Sequence, residues 1–131
     1  MRIERDLKLT FDDVLIRPKR STLVSRSDVD LVREFKFRHA EGTWSGIPIV
    51  AANMDTTGLF SIARVLQGHR MLTCTQKFYS TSACTKAWES GVDSGFVAVT
   101  CGSTEESFEL LQRKMATDDG IQMICIDVAN G

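Results

Sequence analysis

The sequence predicts an α/β fold built on parallel strands, and three observations carry that prediction. From Gly46 onward, short apolar runs alternate with apolar residues at helical spacing. The alternation recurs at an interval of roughly 25 residues, the length of one strand–helix unit. Polar residues follow directly on each apolar run, where strands of such folds present their chemistry.

Each element has its own signal. The run from Gly46 to Ala52 is short and apolar, as expected of a strand buried on both faces. Leu59, Ile62, Ala63 and Leu66 then fall on one helical face, with Gly68 to close it. A second strand is expected from Met71 to Thr75, and a weak helix from Ser82 to Ser90 with Gly91 as its stop. The third strand runs from Phe96 to Thr100. Ser103-Thr104-Glu105-Glu106 has the S-x-x-E form of a capping box, in which serine and glutamate satisfy free N–H groups of the first turn. Phe108, Leu111 and Met115 form the stripe of that helix, and Met123 to Ile126 is the fourth strand.

Residues 1–45 read differently. Leu9 to Ile16 and Val29 to Phe37 look extended, with Val29, Leu31, Phe35 and Phe37 at alternate positions. They predict an N-terminal arm or hairpin packed across the base of the sheet, leaving 46–131 as the strand–helix domain. Four units in a row suit either an open doubly wound sheet or half of an eightfold barrel. A whole barrel takes about 250 residues. The chain stops at Asn130-Gly131, just past a strand, so a truncated half-barrel is the expectation. Such a piece exposes strand edges and should associate.

Composition narrows the function classes. Apolar residues make up 43% and charged residues 25%, ordinary for a globular protein rather than a disordered tail. The net charge of −1 gives no reason to expect nucleic acid or an anionic membrane as partner. Residues 1–40 are nevertheless basic, with ten Lys/Arg against seven Asp/Glu, centred on Arg17-Pro18-Lys19-Arg20 and Arg26. That excess suits a solvated arm or an anion contact. No apolar run resembles a secretion signal or a membrane span. Cys74, Cys84, Cys101 and Cys125 show neither zinc spacing nor a disulfide pattern, so reduced core thiols in a cytoplasmic protein are expected, with no metal site.

Four strand tips carry the candidate chemistry: residues 52–56, 75–77, 100–103 and 127–131. Lys77 and Asp127 would share the rim as groups able to tune one another and move a proton. Spacing alone equally accommodates a structural ion pair or two solvated charges. Asp55 is placed to cap the following helix, and Met54 to line a pocket or simply the core. Cys101 has no histidine or basic neighbour in sequence to activate it. No Gly-x-Gly-x-x-Gly, P-loop or metalloprotease motif is present.

The runs Leu9 to Thr22, Pro48 to Thr56 and Ile126 to Gly131 resemble the IMP dehydrogenase/GMP reductase family, in order and over essentially the whole chain. Arg17-Pro18-Lys19-Arg20, Ala51-Ala52-Asn53-Met54-Asp55 and Asp127-Val128-Ala129-Asn130-Gly131 have the reductase wording, and no nucleotide-sensing domain pair interrupts the chain. The resemblance implies the first four strands of a (β/α)8 TIM barrel behind an extended arm, a homotetramer, and NADPH-dependent conversion of GMP to IMP with release of ammonia. It implies catalytic roles for Lys77 and Asp127 and cofactor contacts from Lys77, Asp127, Val128 and Ala129. Ser25 and Arg26 match an arm that reaches the NADPH of a neighbouring subunit, and Asn53, Met54 and Asp55 match the substrate pocket. The nucleophilic cysteine loop and a potassium site belong to segments after Gly131, so this stretch alone is expected to be inactive. A non-catalytic piece that binds nucleotide or full-length subunits, or a piece of an NAD-dependent IMP dehydrogenase, are the competing readings. Where the family reads H-K-H-Y around the lysine, this chain has Gln76-Lys77-Phe78-Tyr79.

Overall fold

A computed structural model describes residues 6–38 and 40–128. The chain divides into two units, Met1–Asp30 and Leu31–Gly131. In the first, every described residue is exposed and the regular structure is two single turns of 3-10 helix, Phe11–Asp13 and Arg26–Asp28. Leu9 to Ile16 is therefore broken by a turn rather than continuously extended. The Asp13 carboxylate receives the Thr10 N–H and hydroxyl, and these bonds hold its pKa below the ordinary value.

The second unit holds a five-stranded sheet of β1 (Arg33–Phe35), β2 (Trp44–Ala51), β3 (Met71–Cys74), β4 (Val97–Cys101) and β5 (Met123–Ile126). Its helices are α1 (Phe60–Gln67), α2 (Thr81–Glu89) and α3 (Glu105–Thr117). β1 and β2 form an antiparallel pair, Phe35 opposite Trp44. From β2 to β5 all pairings are parallel and the strands lie in chain order. A doubly wound sheet reverses its strand order at a switch point. These strands do not. With right-handed crossovers, an unreversed order puts all the helices on one side, which is compatible with part of a barrel. The β2–β3 register is irregular between Ile47 and Val50, around Pro48, which has no N–H for the ladder.

Helix ends follow local chemistry. Gly91, at φ 93, stands one residue beyond the C-cap Ser90 of α2, where a left-handed residue commonly ends a helix. Gly68 is the C-cap of α1 but is right-handed; the left-handed residue is Arg70, at φ 56. A side chain there costs about 1 kcal/mol or more. Arg70 is held by its own bonds, since its carbonyl accepts from Ile47 N and its guanidinium donates to the Ser45 carbonyl and hydroxyl. The cap of α3 is Thr104, whose hydroxyl accepts from Ser107 N, so the expected Ser103 capping box is displaced by one residue. Leu59 precedes α1 without a side-chain cap bond, so Asp55 does not cap that helix.

The core gathers Ala63, Ala87, Val92 and Val97, with Phe60 and Trp88 packed against it. Tyr79, Phe60 and Trp88 stack in series, at centroid distances of 4.3 and 5.6 Å. At the base, Trp44 lies between Phe35 and Phe96 and donates its indole N–H to Gly95 O. Asp118 is buried and accepts from Thr85 Oγ1, Trp88 Nε1 and Gly120 N at 2.9–3.1 Å, joining α2 to the end of α3. Asp118→Ala removes the acceptor and leaves its donors unpaired. The expected loss is about 2–3 kcal/mol, measured by chemical denaturation.

Ile49, Val50, Ile124 and Ile126 are each 42–56% exposed, and β5 has a hydrogen-bonded neighbour on one side only. Unpaired edges with apolar side chains template association. Light scattering of the isolated chain should show concentration-dependent oligomers, and a monodisperse monomer with a cooperative melt would contradict this.

Candidate functional site

Strands β2 to β5 all end at the same edge of the sheet, which gathers their C-terminal tips. The β2 tip turns at once. Thr57 and Gly58 donate their N–H groups to Met54 O, and the Thr57 hydroxyl donates to Ala52 O. Gly58 is buried so close to the next loop that a Cβ would stand 2.6 Å from Gln76 N and 2.8 Å from Cys74 O. Its carbonyl accepts from Gln76 N at 2.8 Å. A glycine is required by that approach, and it locks the β2 tip to the β3 tip. Asn53 is half-buried in this turn; Met54 and Asp55 are exposed, so Met54 is not core.

The β3 tip carries Lys77. Gln76 Oε1 accepts from Phe78 N at 2.8 Å, curling the loop around the lysine. The Lys77 ammonium stands 5.4 Å from the centre of the Phe78 ring, a cation–π distance. Gln76 and Phe78 thus supply a backbone clamp and an apolar face. A cavity of about 340 Å³ opens beside Lys77, lined among others by Phe78, Cys101, Thr104, Ser107 and Lys114.

Asp127 follows β5 and continues its ladder, its N–H donating to Cys101 O at 2.9 Å. Lys77 and Asp127 therefore occupy the same edge, with the β4 tip between them. No hydrogen bond or ion pair joins them, and Asp127 is not among the residues lining the cavity. Val128 is exposed next to Asp127; Ala129 lies outside the described residues. Ser25 and Arg26 belong to the other unit. Ser25 caps the turn there, its hydroxyl accepting from Ser27 N and its own N–H donating to Asp28 Oδ2, and Arg26 is exposed.

One residue of the cavity escaped the sequence reading. Lys114 is half-buried and its ammonium donates to the Tyr79 carbonyl at 2.7 Å. The inward face of α3 runs through Ser107, Leu111, Lys114 and Asp118, whereas Phe108 and Met115 are 38% and 45% exposed. The spacing i, i+4, i+7, i+11 was legible. An apolar-only search passed over it because three of the four are polar.

The cysteines are structural. Burial, with the Cys125 thiol adding to it, pushes the Cys74 pKa up to about 12. Burial also raises Cys84 and Cys101, in each case opposed by the nearby Lys114 charge. Thiols held protonated are poor nucleophiles. An unfolded thiol ionises near 9, so between pH 9 and about 12 the unfolded chain gives up a proton that folded Cys74 retains. Stability therefore falls across that window. Melting temperatures measured along it should decline less steeply in Cys74→Ala.

Among the described residues, no group of three or more His, Cys, Asp or Glu could hold a metal ion, and no helix is long and apolar enough to cross a membrane. No family model matches the chain. Curated proteins do. The chain is 53% identical over 137 aligned positions to the GMP reductase of Edwardsiella ictaluri strain 93-146. It is 47% identical to that of Aeromonas salmonicida strain A449, and 48% to that of Salmonella paratyphi B. Each match covers 100% of this chain and 38% of the relative, so the chain spans well under half the length of these proteins.

Proposed function

We propose that the chain is the N-terminal portion of a GMP reductase, an oxidoreductase of purine nucleotide metabolism that converts GMP to IMP and ammonia with NADPH. The observation that carries this is identity of 47–53% in matches that cover the entire chain. The parallel strands in chain order support a (β/α)8 barrel of which β2 to β5 are the first four strands. The proposal extends to a cytoplasmic homotetramer, with 1–45 as its arm and 46–131 as the first half of the barrel.

The rim residues suit the ligands of this reaction. Lys77 has no carboxylate partner among the described residues, and the cavity beside it combines hydroxyls with the apolar Phe78, Leu110 and Leu111. An uncompensated cation beside an apolar wall favours an anionic, ring-bearing molecule. Lys77, Asp127, Val128 and Ala129 would hold the nicotinamide end of the cofactor, and Ser25 and Arg26 would reach the adenosine phosphate of a neighbouring subunit, for which a guanidinium is a bidentate donor. Asn53, Met54 and Asp55 border the purine. When bound, NADPH supplies the hydride that replaces the amine at C2.

The departing amine has to take a proton. Lys77 holds one at Nζ, and Asp127 is the second group on this edge able to hold or return one. The cysteine that attacks C2 is none of Cys74, Cys84 and Cys101, whose thiols burial keeps protonated. The 131-residue stretch alone does not turn over. In a protein carrying this segment at the relatives' full length, GMP with NADPH should be consumed while IMP with NAD is not. Lys77→Met should lower kcat by about 100-fold or more, the usual contribution of a general acid. Undiminished deamination by that variant sinks the assignment of Lys77.

A further inference from the structure

We infer that Lys114 is a positioning residue that fixes the loop presenting Lys77. The inference rests on the proposed function only for what Lys77 does once it is placed.

Lys114 is the half-buried ammonium on the inner face of α3. Burying part of a charge removes water from it, and such a charge normally finds a carboxylate. Among the described residues Lys114 forms no ion pair. Its acceptor is the carbonyl of Tyr79, 2.7 Å away and 35 positions earlier in sequence. That carbonyl lies two residues beyond Lys77 and immediately before Ser80, the N-cap of α2. On the other side of Lys77, Gln76 N donates to Gly58 O, and Phe78 N donates back to Gln76 Oε1, both at 2.8 Å. The backbone is thus pinned before and after the lysine. Lys77 itself makes a single ring contact, to Phe78, so its position depends on those pins. Between Thr75, whose N–H donates to Ala98 O of β4, and Ser80, whose carbonyl accepts from α2, residues 76–79 have no strand or helix bonds of their own to replace them.

A hydrogen bond from a charged donor is stronger than a neutral one, and methionine keeps most of the lysine's shape while removing it. Hydrogen exchange by mass spectrometry on the chain, wild type against Lys114→Met and Lys114→Arg, reads the effect directly. The expected result is exchange about tenfold faster across residues 75–80 in Lys114→Met, with α1 (residues 60–67) unchanged and the loop restored in Lys114→Arg. No change in the loop overturns the inference, and so does an equal rise in both segments, which marks a general loss of stability.

NADPH titration of the same three versions in a protein carrying this segment at the relatives' full length supplies a readout that a purely structural role would not move. Affinity should fall at least about threefold in Lys114→Met and return in Lys114→Arg, an arginine being able to reach the same carbonyl as a donor. Equal affinity in all three counts against positioning. Failure of the wild type to bind NADPH at all refutes the cofactor reading instead, and the exchange result then decides the role of Lys114 by itself.

Discussion

Strand β4 is buried from Val97 to Cys101, every residue of it at 6% exposure or less, and it bonds to β3 on one side and β5 on the other. The geometry of the rim descends from that arrangement. Thr75 N donates to Ala98 O, and Asp127 N to Cys101 O, so both flanking tips are carried past the ends of their strands by bonds to β4. Neighbouring strands lie about 4.8 Å apart. Backbones one strand removed on either side are therefore roughly 10 Å from each other, and no ion pair joins Lys77 and Asp127. A ligand that touches both has to lie over the β4 tip.

The helical layer depends on polar contacts more than its apolar content suggests. α3 offers one fully buried apolar residue, Leu111, and its other inward positions are bonded rather than packed. Asp118 gathers donors from α2 and from the turn after α3, while Lys114 reaches the loop before α2. Each bond of this kind is directional, so it sets position where apolar packing would allow sliding. The layer is consequently anchored at the loop that carries Lys77, through the Tyr79, Phe60 and Trp88 stack on one side and Lys114 on the other.

Gln76 and Phe78 set what surrounds Lys77. The amide closes a local hydrogen bond and the ring gives the ammonium a π face. Neither side chain ionises, so Lys77 has no titratable neighbour on either side in sequence. Burial suppresses the ionised form of the Cys74, Cys84 and Cys101 thiols.

The sequence by itself determined the strands and helices of residues 46–126. Apolar runs mark buried strands and helical spacing marks amphipathic helices, and both are local signals; Met123–Ile126 matches residue for residue. It also placed Lys77 and Asp127 at strand tips, since each directly follows an apolar run. Tertiary structure decided everything that depends on distance between segments. The strands lie in chain order with no reversal, whereas a doubly wound sheet, which shares the same local pattern, reverses at a switch point. The cap of α3 moved from Ser103 to Thr104, because both residues are good caps and only the path of the chain after β4 selects one. Folding brought the Tyr79 carbonyl to Lys114, a contact across 35 residues that no local pattern encodes.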